Sequence, residues 1–168
     1  MFLTSLRWVQ AIEPARLALS ARPRGGDELP DEILSWRAAG IDKVVSFLES
    51  REARELGLAL ELDACAQAGV AFLSFPVPDR GVPSSRREVL ALARGLTQDL
   101  QSGAGIALHC RAGIGRTGLI AGCVLHLLGV PSSRIFTTLS LARGVSVPDT
   151  EEQVAWVAEF CRSAVSAT

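Results

Sequence analysis

The chain has 168 residues, 48% of them apolar and 21% charged, with a formal net charge of −1 and a pI near 6.1. That length and composition suffice for one substantial core, so residues 1–168 are expected to form a single domain with no linker or repeat. The near-neutral balance excludes a broad electrostatic pull on nucleic acid or an anionic membrane, although all but one of the 17 basic residues are arginine.

In chain order, the stretch from Met1 to Glu13 is interrupted by Arg7 and Glu13 and does not read as a signal peptide. No later segment approaches the roughly 18 uncharged apolar residues of a membrane span. Leu6–Ile12 and Leu17–Ser20 read as an opening pair of strands, and Arg22–Gly26 as a loop. Pro30, with Asp31 and Glu32 in the first turn, opens a helix that Gly40 stops, and Ile41–Phe47 follows as a strand. Glu49–Leu56 and Glu61–Ala68 read as helices and Val70–Phe75 as a strand. Ser85-x-x-Glu88 is a capping-box pattern for a helix ending near Leu100. Gly105–Leu108 is a short apolar run after the turn-like Ser102-Gly103-Ala104, as expected of a buried strand. Leu119–Leu128 is apolar nearly all round, a buried helix stopped by Gly129 and Pro131. Ser133–Arg143 and Glu151–Val165 complete the helices. Strands alternating with helices predict an α/β fold with a central, mostly parallel sheet flanked by helices.

His109-Cys110-Arg111-Ala112-Gly113-Ile114-Gly115-Arg116-Thr117 joins that buried strand to that buried helix. The loop amides and the first amides of the helix have no intrahelical acceptor, so they can converge on the oxygens of a phosphate. Gly113 and Gly115 supply positive φ and close backbone approach in such a nest. The positive helix end favours a thiolate at Cys110, and Arg116 offers a planar fork of donors to two phosphoryl oxygens. A leaving alkoxide or phenoxide needs a proton, and Asp79 in Phe75-Pro76-Val77-Pro78-Asp79-Arg80-Gly81 is the favoured candidate acid, the lesser alternative being that Pro-Asp-Arg-Gly simply makes a turn.

HCRAGIGRT carries the Cys-x5-Arg-Ser/Thr signature with its preceding histidine, and the chain thereby resembles the cysteine-based protein tyrosine phosphatase superfamily. The upstream Pro-containing loop with Asp79 resembles the dual-specificity branch, and the segments around LSFPVPDRG and LARGVSVPDTEEQ are similar to the kinase-associated phosphatase group. The resemblance implies the dual-specificity phosphatase fold, so that residues 1–168 would form one phosphatase catalytic domain. It also implies a phosphotyrosine phosphatase, with phosphoserine and phosphothreonine as further substrates, acting through a phosphocysteine with no cofactor and no metal. In that reading Cys110 attacks phosphorus, Asp79 donates and later abstracts a proton, and Arg111, Ala112, Gly113, Ile114, Gly115 and Arg116 bind the phosphate. Thr117 matches the hydroxyl that bonds the cysteine sulfur, or else it serves the first helical turn. His109 matches a loop-bracing histidine. Gln153 matches a glutamine that positions water, while Thr150-x-x-Gln153 also reads as a capping box. Arg143 either adds attraction for substrate or is an ordinary arginine at a helix C-terminus.

The alternatives are a phosphoinositide or other small-molecule phosphomonoesterase, or a catalytically weak phosphoresidue-binding module. Within the loop Arg111 is basic and Ile114 is not, which leaves a polyphosphorylated headgroup short of a counter-charge. The chain has no tyrosine and no aromatic phosphotyrosine-recognition loop. The expected partner is therefore a phosphorylated protein or peptide, neither nucleic acid nor membrane, met by a monomer. Cys65, Cys110, Cys123 and Cys161 lack metal-ligand spacing, and a catalytic thiolate needs a reducing compartment, so a cytoplasmic location is expected. Cys65 and Cys123 are either buried free thiols or resolving partners for an oxidised Cys110.

Overall fold

The apolar run Gly105–His109 is buried along its whole length and forms the middle strand of a five-stranded sheet in the computed structural model, which describes residues 4–165. The strands are β1 (Arg7–Trp8), β2 (Arg16–Ser20), β3 (Lys43–Ser46), β4 (Ala71–Ser74) and β5 (Gly105–His109), in the order β1-β2-β5-β3-β4. The β2–β5, β5–β3 and β3–β4 pairs are parallel; β1–β2 is antiparallel. The expected α/β class and mostly parallel sheet are thus present, with the two opening segments forming the antiparallel pair.

Alternation along the central strands splits the core between the two faces. Leu17, Leu19, Val45, Ile106 and Leu108 pack with Val89 and Leu96 of α4 (Arg86–Gln101), Leu119 and Val124 of α5 (Gly115–Leu127), and Val157 and Phe160 of α7 (Glu151–Val165). Ala18, Val44 and Ala107 face the other way, onto Leu29, Ile33 and Trp36 of α1 (Leu29–Ala38) and Ala64 and Cys65 of α3 (Glu61–Gln67). Two further helices, α2 (Ser50–Glu55) and α6 (Ile135–Arg143), follow β3 and precede α7. His109, Ser20 and Ser46 are register partners at the C-terminal ends of three adjacent strands, where open α/β sheets present their ligand sites.

Most expected boundaries lie within a few residues of the observed ones; the opening strand differs more. Of Leu6–Ile12 only Arg7 and Trp8 are strand, with the Val9 N–H still bonded to the Leu17 carbonyl at 2.9 Å, and Gln10–Ile12 is a 3-10 turn closed by the Glu13 N–H on the Gln10 carbonyl at 3.1 Å. Strand β1 is an edge and the chain must reverse before β2, so the backbone bonds to itself where no outer strand is available. Residues 1–3 of the expected interrupted apolar start lie outside the described residues. No helix among the described residues is long and apolar enough to cross a membrane.

Candidate active site

β5 ends at His109, the chain bends at Cys110, and residues 111–114 loop over to the first turn of α5. Gly113 has φ of 72°, and a Cβ there would run into the Ser20 carbonyl and the Ala21 nitrogen, so this position needs glycine for both its conformation and its space. Gly115 departs from expectation. Its φ is not positive, and what excludes a side chain is Asp149 and Gln153, which a Cβ would meet. The outer carbonyls of the loop are all held: Arg111 O by the Arg22 N–H at 3.1 Å, Ala112 O by Arg143 Nη2 at 2.9 Å, and Gly113 O by Arg143 Nε at 3.2 Å. A trans peptide sends its N–H opposite to its C=O. The amides of Ala112, Gly113 and Ile114 are therefore turned away from those outer partners. Burial, followed by the like charge of Arg7, lowers the Arg143 guanidinium from its ordinary range. Cys110 is 3% exposed, at the foot of this loop.

Arg116, in the first turn of α5, is 2% exposed and surrounded by acceptors. Nη1 donates to Glu52 Oε2 at 2.7 Å and to Val77 O at 3.0 Å, while Nη2 donates to Glu52 Oε1 at 3.0 Å and Asp79 Oδ1 at 3.1 Å. Burial alone would lower its pKa, but the Glu52 hydrogen bonds and the surrounding acidic groups outweigh that and raise it. Glu52 shows the reverse balance. Burial pushes its carboxyl up, and the Arg116 hydrogen bonds, the Glu49 N–H and the charges of Arg116 and Arg111 hold it below the usual carboxylate range. Arg111 Nε lies 3.7 Å from Glu52 Oε1 and its side chain is half exposed.

Strand β4 leads into the Asp79 loop, where the Gly81 N–H bonds Pro78 O at 2.8 Å. Arg80 has φ of 56°, a left-handed conformation that costs an L-residue roughly 1 kcal/mol or more. The turn reading is correct, and the turn also brings the half-exposed Asp79 carboxylate onto Arg116. Gln153 ties the same loop down, Nε2 donating to Gly81 O at 3.1 Å. Its Oε1 accepts from the Thr150 N–H at 3.2 Å while its own N–H donates to Thr150 Oγ1 at 3.1 Å, so the capping box is complete.

The His109 ring is fully buried, with Nδ1 3.1 Å from Cys110 O and Nε2 2.7 Å from Glu61 Oε1. The Thr117 hydroxyl is buried with no hydrogen-bond partner, neither the sulfur nor the first helical turn. Asp79, His109, Cys110, Arg116, Arg143 and Gln153 thus all lie at this end of the sheet or against the loop. Glu52 and Glu61 were not singled out. Each is an acid within the first turn of a short helix, a common dipole-compensating placement, and nothing local links them to Arg116 or His109 far along the chain. All four cysteines are free and buried.

A family model described as "Polymorphic toxin system, DSP-PTPase phosphatase" matches residues 20–129, more than half of the chain. Protein tyrosine phosphatase domain-containing protein 1 of Bos taurus is 33% identical over 101 residues, covering 55% of this chain and 12% of that protein. Cyclin-dependent kinase inhibitor 3 of Rattus norvegicus is 27% identical over 128 residues, covering 74% of this chain and 59% of that protein. The match therefore spans a small part of the first relative and somewhat less than two thirds of the second. Among solved structures, kinase-associated phosphatase with its catalytic-site cysteine replaced by serine superposes with a TM-score of 0.88 over 100% of this chain and 99% of that one, at 21% identity.

Proposed function

The chain belongs to the DSP-PTPase phosphatase family within the cysteine-based protein tyrosine phosphatase superfamily, and on that premise we propose that it hydrolyses phosphomonoesters of protein side chains, phosphotyrosine foremost. Phosphoserine and phosphothreonine are further substrates in this reading, and residues 1–168 act as one phosphatase catalytic domain working without cofactor. The observation that carries it is the convergence of Cys110, the Arg116 guanidinium and the Asp79 carboxylate on one loop, with Arg116 Nη2 already 3.1 Å from Asp79.

In the first step the Cys110 sulfur attacks phosphorus in line, the S–P bond forms, and the P–O bond to the side chain breaks. Asp79 gives its proton to the departing oxygen. In the second step Asp79 takes a proton from water, whose oxygen displaces the sulfur, and inorganic phosphate leaves. Arg116 and the amides of residues 111–116 hold the equatorial oxygens throughout, preorganised because Glu52 and Arg143 fix them before substrate arrives. The single basic side chain between Cys110 and Arg116, Arg111, supports a phosphoprotein over a polyphosphorylated inositol.

Hydrolysis of p-nitrophenyl phosphate between pH 5 and 7 tests the reading. Wild type should turn over, and Cys110→Ser should not, while phosphate affinity survives the substitution. Phosphate binding without turnover by wild type would replace the enzyme with a binding module, and a panel of phosphopeptides against inositol phosphates decides the substrate class.

A further inference from the structure

His109 stands between two acceptors, the Cys110 carbonyl at 3.1 Å from Nδ1 and the Glu61 carboxylate at 2.7 Å from Nε2. A neutral imidazole carries one N–H and an ionised carboxylate carries none. Making both hydrogen bonds therefore requires one proton more than those two groups supply, wherever along the Nε2···Oε1 line it sits. Solvent does not reach the ring and barely reaches the carboxylate, since the His109 side chain is 0% exposed and that of Glu61 3%. In such a site an unmade hydrogen bond is expensive.

We propose that Glu61 is a positioning residue for the reaction at Cys110, acting through His109: its carboxylate holds a proton at the far ring nitrogen so that the near one keeps its own against the Cys110 carbonyl. The kinetic consequence rests on the phosphatase reading of Cys110; the proton arrangement does not. The surroundings suit the task. Trp36 of α1 meets the imidazole edge-on at 6.3 Å, and Ser20 of β2 and Ser46 of β3 flank His109 in register. The other titratable groups at hand include Cys110 itself, Arg54 of α2, which lines one groove with Glu61, and Cys65, one turn along α3 from Glu61. Burial, then the charge of Glu61, pushes the Cys65 thiol up to about 12, so it stays neutral. Among the described residues the pair is the one ion pair that either His109 or Glu61 makes. With that proton on Nε2 the ring is an imidazolium standing between its carboxylate and the Cys110 peptide, and the nearer, positive member of the pair favours the anionic nucleophile.

The chain has two histidines, so nitrogen NMR of the intact wild-type protein can assign the His109 ring with His126 as internal reference. Nδ1 should carry a proton at pH 7, with Nε2 sharing one with Glu61; a bare Nδ1 overturns the proposal. Alkylation of Cys110 by iodoacetate supplies the second readout. Glu61→Gln can still bond the ring by donating an amide N–H to Nε2 but leaves a neutral imidazole in place of the imidazolium, so it should react about tenfold more slowly at pH 6 and at the wild-type rate at pH 9. Loss of structure alone would alter both rates. Equal rates at pH 6 overturn the proposal, and should the variant not fold, the wild-type NMR decides alone. An inactive wild type with a protonated Nδ1 and a Glu61-dependent alkylation rate would remove the phosphatase reading and leave this one standing; full turnover beside Glu61-independent alkylation would do the opposite.

Discussion

Arg116 and Glu52 meet through two parallel hydrogen bonds, Nη1 to Oε2 at 2.7 Å and Nη2 to Oε1 at 3.0 Å, on side chains that are 2% and 11% exposed. A bidentate pair fixes both the position and the plane of a guanidinium. Its removal leaves a buried charge with only partial compensation, from the Val77 carbonyl and the half-exposed Asp79. Glu52→Ala should therefore lower unfolding stability by roughly 3 kcal/mol in urea titrations. The same variant should weaken inorganic phosphate binding, because Arg116 is no longer held in plane. Unchanged phosphate affinity in a folded variant would show that Arg116 orients itself.

The pH dependence follows from the direction of the Glu52 shift. Its folded-state value lies below its unfolded one, so the ion pair stabilises fully above the unfolded value, about 4.3 for a free glutamate, and is lost as pH falls through the folded value. The urea midpoint should be flat through this term from pH 7 to 5 and then drop. Asp42 and Glu159 are lowered as well, by hydrogen bonds from the Gly105 N–H and from Arg162 respectively, and contribute with the same sign. Glu52→Gln should thus flatten part of the acid slope rather than all of it; an unaltered slope would mean the pair contributes nothing to acid stability.

Asp79 touches the same guanidinium from the solvent side, Oδ1 lying 3.1 Å from Nη2. In the proposed role of proton donor, its loss should matter most where the leaving oxygen is basic. Asp79→Asn should cost about 100-fold or more in kcat with phenyl phosphate, and much less with a substrate whose leaving group departs without help. A loss that is the same across a series of aryl phosphates would take the donor role away from Asp79.

The fold was legible from the sequence because its central strands are short apolar runs bounded by Gly and Pro, and its helices carry Pro30, Ser85 and Thr150 at their starts. The strand, loop and helix start around Cys110 were legible because the segment from His109 to Thr117 is contiguous. What was not legible is everything that reaches the loop from elsewhere. Glu52 and Glu61 lie on short helices after β3 and before β4, and their roles at the site arise from the parallel pairing of β3 with β5, a tertiary fact. The early end of the opening strand was equally hidden, since an edge position is a property of the sheet rather than of Leu6–Ile12. Gly115 was read for its backbone freedom when its constraint is the room taken by Asp149 and Gln153, more than 30 residues downstream.

Gln153 joins two of these themes, because one amide caps α7 through Thr150 and holds the Asp79 loop through Gly81 O. With Oε1 accepting from the Asp149 and Thr150 N–H groups and Nε2 donating to Gly81, its polar atoms are engaged before any water or substrate arrives. That occupancy favours bracing of the loop over positioning of a water. Gln153→Ala should cost about 1–2 kcal/mol of stability through the lost cap and the freed Gly81 carbonyl. Bracing further implies that its catalytic effect passes through Asp79. In a double-mutant cycle the kcat loss from Gln153→Ala should then largely vanish in an Asp79→Asn background. Full additivity would separate the two residues and return Gln153 to a role in handling the water itself.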